Sequence, residues 1–135
     1  MTHYLLDANV LVRFLVQDDH RQSPAATTLF ERAEQQEIHL HLDVLAITEV
    51  VYVLIGRYGR SRIEVVNALL SIIQNIGVET MDRDMVTDAL KRFGAKNVDF
   101  ADVWLATRSA KLSLPVASFD RDLDKFKDIE RFEPV

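Results

Sequence analysis

The strongest constraint in the sequence is an alternation of short apolar runs with longer stretches of helical periodicity. Tyr4-Leu5-Leu6 is a brief run closed by Asp7. Ile38–Leu42 reads Ile-His-Leu-His-Leu, the period of two that marks a half-buried strand. Val78–Met81 and Leu114–Phe119 are two further strand candidates, the second ended by Asp120. Helical patterns lie between them: Val10–Val16, a segment opened by Ser23-Pro24 and ending near Gln36, and Val44–Arg57. A Ser61/Glu64 capping box opens another, which Gly77 is expected to stop. Val86–Phe93, closed by Gly94, and a helix capped by Asp99 and running to about Lys111 complete the set. Connections of that length are crossovers, and strand–crossover–strand repetition builds a parallel sheet covered on both faces. The expected fold class is α/β.

At 135 residues the chain has room for one domain, expected over 1–135, without the size for a second. It contains no cysteine, which excludes a disulfide scaffold, a thiol nucleophile, an iron–sulfur site and cysteine-bound zinc. The longest stretch free of charge, Val65–Val78, is too short and too polar to span a bilayer. The opening MTHYLLDANV lacks the basic start and small-residue cleavage site of a signal peptide, so a cytoplasmic protein is expected. The net charge of −5 argues at first sight against a nucleic-acid partner.

The placement of the acids changes that reading. Asp7 and Asp120 stand at the carboxyl ends of expected strands, the edge where α/β sheets bind ligands, although each could simply cap the next turn or helix. Glu49 lies inside the most apolar helical pattern, where a carboxylate needs solvent, a cationic partner or a metal. In VDFADVWLA, Asp99 fits a helix cap and Asp102 the third helical position. If Asp7, Glu49, Asp102 and Asp120 converge, their repulsion demands protons or cations. An all-oxygen donor set suits Mg²⁺ or Mn²⁺, which can hold a scissile phosphate and activate water.

At these four positions the sequence resembles the PIN domain, and within it the VapC-type toxins of type II toxin–antitoxin modules. The matching pieces are LLDANV with Asp7 and Asn9, ITEVVYVL with Glu49, DFADVWLA with Asp102, and VASFD with Ser118 and Asp120. They occur in the family's order across essentially the whole chain. The resemblance implies a three-layer α/β/α sandwich with a five-stranded parallel sheet. It also implies a divalent-metal-dependent endoribonuclease, an RNA substrate, a cognate antitoxin protein and a homodimer. Asp7, Glu49, Asp102 and Asp120 are then the metal-binding catalytic residues. Asn9, Asp99, Ser118 and Asp122 are auxiliary groups that orient or supplement them. A PIN nuclease of RNA processing, or a nuclease-inactive module binding RNA or protein, is the alternative.

Arg57, Arg60 and Arg62 around Tyr58 form a basic turn suited to an RNA backbone, and Lys91, Arg92 and Lys96 a second cluster. His39 and His41 share one strand face without an apparent third metal ligand. The Val50–Ile55 and Val65–Ile76 segments carry more apolar surface than one sheet face needs, as a partner interface would.

Overall fold

The computed structural model describes residues 1–135, which pack as two compact units, Met1–Arg83 and Asp84–Val135. In the first unit the elements run β1 (Thr2–Leu5), α1 (Ala8–Val16), α2 (Gln22–Glu34), β2 (Ile38–Leu42), α3 (Val44–Gly56), α4 (Arg62–Ile73) and β3 (Val78–Thr80). The strands form a parallel sheet in the order β1-β2-β3, with Tyr4 opposite Leu40 and Leu40 opposite Val78. Ile38, Leu40 and Leu42 are buried, as are Leu11, Phe30 and Ile47 on the helices. His39 and His41 alternate with them and stay half-exposed on the other face.

The second unit runs α5 (Arg83–Ala95), α6 (Phe100–Leu112), β4 (Val116–Ala117), a 3₁₀ turn (Arg121–Lys125) and β5 (Arg131–Phe132). Its two strands pair with each other in parallel, Val116 opposite Arg131 and Ala117 opposite Phe132. Phe93 and Phe100 meet edge to face, with ring centroids 5.7 Å apart. The fold class is α/β, as expected, but the single five-stranded sheet is not observed. The strands divide into three and two. Along β2, buried Ile38, Leu40 and Leu42 alternate with half-buried His39 and His41.

Three local expectations are corrected. The strand foreseen over Leu114–Phe119 shrinks to Val116–Ala117, because Pro115 has no amide to donate and the Leu114 amide turns back to the Ser109 carbonyl. Ser23 does not cap α2. The Asp19 carboxylate takes the Arg21 and Gln22 amides at 2.9 and 2.6 Å, and Ser23 is buried. Gly94 lies inside α5 rather than ending it. α3 buries Ile47, Val50, Val51 and Leu54 and leaves Leu45 and Tyr52 72% and 81% exposed. The Ser61/Glu64 capping box is present with both of its hydrogen bonds.

Arg92 on α5 anchors the second unit. Its Nε donates to Asp88 at 3.0 Å and its two terminal nitrogens to the Asp128 carboxylate at 2.9 and 2.5 Å. The fork of donors matches a carboxylate, and holds the Asp128 carboxyl below its ordinary value of 3.8. A carboxyl depressed in the folded state stabilises above its unfolded value, and that contribution disappears as pH falls through the folded one. The stability advantage of the native protein over Asp128→Asn is therefore expected to be full at neutral pH. It should shrink as pH falls below the ordinary carboxyl value of 3.8 and vanish once pH passes below the depressed folded value, read in acid titrations of thermal stability.

Candidate active site

Three aspartates begin helices in similar sequence settings, yet only one spends its carboxylate on the helix. Asp43, at the start of α3, accepts the Leu45 amide at 2.8 Å. Asp7 precedes α1 and Asp99 precedes α6, and neither side chain makes a capping hydrogen bond. Both are exposed, so their carboxylates stay free for other work. The simpler reading of Asp7, a cap, is thus unsupported by its geometry.

In the first unit Asp7 follows β1 directly, and the neighbouring Leu6 amide bonds to the His41 carbonyl, fixing the turn. Asn9 lines a cleft of 390 Å³ between α1 and α2, with Arg13, Arg21 and Gln22. Glu49 sits on the exposed side of α3, between Leu45 and Tyr52. It reaches solvent freely, so burial does not force it to find a cation.

The second unit gathers a true acidic cluster. Asp102 is the third residue of α6 and is half-buried. Its carboxyl is pushed above the usual range, first by burial, then by the charge of Asp120 and a hydrogen-bonding contact with that carboxyl. Asp99 and Asp122 push it further in the same direction. Asp120 is itself held from both sides. Its amide donates to Ser118 Oγ at 3.0 Å, and its Oδ1 accepts the Asp122 amide at 2.9 Å. Asp122 also pairs with Lys125 at 3.2 Å.

Sequence reasoning does not single out Arg131, which falls in the tail after the last expected helix. Its guanidinium donates to the Ser118 carbonyl at 3.1 Å and to the Asp124 carboxylate at 2.9 and 3.2 Å. Together with the Ser118 amide donating to the Phe132 carbonyl at 3.0 Å, it clamps the turn that presents Asp120. No local spacing signals a partnership 13 residues apart.

As they stand, no three histidine, aspartate or glutamate side chains are placed so that together they could hold a metal ion. The donor set around Asp102 nevertheless fits a hard cation: oxygens only, with one carboxyl already destabilised as an anion by its neighbours. A cation there would take over the role of the proton.

The basic turn is partly committed. Arg57 lies 5.7 Å from the Tyr58 ring centroid, and Arg60 is 4.0 Å from Glu64. The Tyr58 hydroxyl donates to Asp18 at 2.9 Å, and Arg13 bonds the same carboxylate at 3.0 Å. Arg62 opens α4 and is half-buried. In the second basic cluster Arg92 is consumed by Asp88 and Asp128.

Compared with protein-family models, the chain matches the PIN domain over residues 4–129. The chain belongs to the PIN domain family. PIN domains are usually nucleases, hydrolases that most often use divalent metal ions, and a PIN nuclease binds RNA. No curated protein sequence matches this PIN domain closely enough for comparison. No helix of this PIN domain is long and apolar enough to cross a membrane.

Proposed function

We propose that this PIN domain is a divalent-metal-dependent endoribonuclease acting as the toxin of a type II toxin–antitoxin module. Asp7, Glu49, Asp102 and Asp120 are its proposed metal-binding carboxylates, with Mg²⁺ or Mn²⁺ as the ion. The observation that carries the reading is the Asp102–Asp120 contact, in which two acids crowd each other without a basic partner. Structural ion networks put cations beside such groups, whereas catalytic sites leave them for a metal.

When bound, a divalent ion supplies the positive charge that in-line attack of water on a phosphodiester requires. The residues of this chain do the rest. Asp102 and Asp120 would hold the ion, and Asp7 and Glu49 are proposed as further carboxylate ligands on the strength of their sequence motifs. Ser118 and the Asp122 amide fix Asp120 in place. Asp99, Asp122 and Asn9 are proposed to assist from beside them. Arg57, Arg60 and Arg62 are proposed to meet the RNA backbone. Exposed Leu45, Tyr52 and Ile63 on α3 and α4 are proposed as surface for the antitoxin or a second copy.

The test is cleavage of total cellular RNA with mapping of new 5′ ends, in Mg²⁺ or Mn²⁺ and in EDTA. A few discrete ends, seen only with metal and absent with Asp7→Asn, are the expected result. RNA left intact in metal by protein shown to be free of antitoxin would overturn the reading.

A further inference from the structure

Away from the acids, one face of the first sheet brings together four side chains from three strands. His3 stands opposite His39 in the β1–β2 register, and His41 opposite Glu79 in the β2–β3 register. Directly opposed residues in a sheet share a face, the one turned away from buried Ile38, Leu40 and Leu42. The rings of His3 and His39 stack with centroids 4.8 Å apart, and those of His3 and His41 lie 5.1 Å apart.

Their polar atoms are left in an unusual state. His39 Nδ1 is shut off from solvent and has no hydrogen-bond partner. The nearest acid, Glu79, has one oxygen 3.6 Å from His39 Nδ1 and the other 3.6 Å from His41 Nδ1. That separation is too long for a hydrogen bond. It is close to the ~3.3 Å between two ligands of one tetrahedral ion with bonds of about 2.0–2.1 Å. On the far side of the ring, His41 Nε2 is 2.9 Å from His3 Nδ1. With the proton on Nε2, His41 donates to His3 and turns a bare lone pair from Nδ1 towards Glu79. This is the arrangement by which a partner outside the coordination sphere orients a metal-binding histidine.

We propose that His39 Nδ1, His41 Nδ1 and the Glu79 carboxylate bind a divalent transition metal, Zn²⁺ by donor type, with His3 as the positioning residue for His41. The three donors do not yet meet at bonding distance from a common point. Small side-chain rotations must close the gap, and the half-exposed rings and carboxylate leave room for them. Two imidazoles and one carboxylate favour a borderline ion over Mg²⁺, which separates this site from the all-aspartate cluster of the other unit. A metal held by β2 and β3, and buttressed from β1, would staple the sheet across its strands.

Equilibrium dialysis of Zn²⁺ against the full chain in excess Mg²⁺, with Co²⁺ absorption as a second readout, tests this. One Zn²⁺ per chain is expected, with the visible bands of a nitrogen-ligated Co²⁺ site. Affinity should fall at least 100-fold in His39→Ala/His41→Ala and in Glu79→Gln, and about 10- to 100-fold in His3→Ala. Asp7→Asn and Asp102→Asn should bind Zn²⁺ like the native chain. No Zn²⁺ bound to the native protein, binding unchanged in the circular-dichroism-verified Glu79→Gln, or binding lost in Asp102→Asn would each overturn the proposal.

Discussion

Asp102→Asn is expected to lower metal-dependent RNA cleavage by about 100-fold or more while leaving the metal-free protein at least as stable as the native one. The two halves of this expectation share one cause. Asp102 is half-buried among three other acids, so its negative charge is a cost that only a cation repays. Asparagine keeps the size and removes the charge, which relieves the metal-free cluster and weakens its hold on the ion. Thermal unfolding in rising Mn²⁺ reads the same difference. The native protein should gain about 2.7 kcal/mol when Mn²⁺ reaches 100 times its dissociation constant, and the variant markedly less. An Asp102→Asn protein that cleaved at the native rate in metal would remove Asp102 from the mechanism.

The second large effect is structural. Gly77→Ala is expected to destabilise the protein by about 3 kcal/mol, lowering its melting temperature by roughly 10 °C. A Cβ on Gly77 would stand 2.7 Å from the Ala33 Cα and closer still to the Ala33 carbonyl carbon and oxygen. All three are backbone atoms of α2 and cannot swing away. The position is tied down on every side. Asn75 accepts the Gly77 amide at 2.8 Å and donates to the Phe30 carbonyl at 3.1 Å. The Gly77 carbonyl accepts the Leu40 amide at 2.8 Å, so a shift of the glycine would pull on β2. Gly56→Ala is the control, because a Cβ there meets nothing within 4 Å. Its melting temperature should stay within about 2 °C of native.

The same glycine illustrates what the sequence could and could not convey. Gly77 was recognisable as a breaker, but α4 already ends at Ile73, and the glycine serves a close approach of backbones that no local pattern encodes. β2 was legible to the residue, since Ile38–Leu42 states its alternation in five letters. The Ser61/Glu64 box was equally plain, because both partners lie within one turn. The cap of α2 was not. Asp19 takes the Arg21 and Gln22 amides, while Ser23 Oγ turns back to accept the Asp19 amide. The split of the strands into three and two was hidden as well, because pairing depends on register rather than on composition.

The order of the acids along the chain was likewise legible. The contact of Asp102 with Asp120, the clamp of Arg131 on Ser118, and the arrival of His3 beside His41 were not. Each joins residues far apart in sequence through strand register or helix placement, and none leaves a spacing signature.

The two units are also continuous stretches of chain, and this has a consequence for how the protein is born. Every strand pairing of the first unit closes within its first 83 residues, and the β4–β5 pairing spans only residues 116–132. Neither needs a segment made much later by the ribosome. The β1–β2–β3 sheet therefore has all of its strands once Thr80 has emerged, before any residue of the Asp102 cluster has left the ribosome.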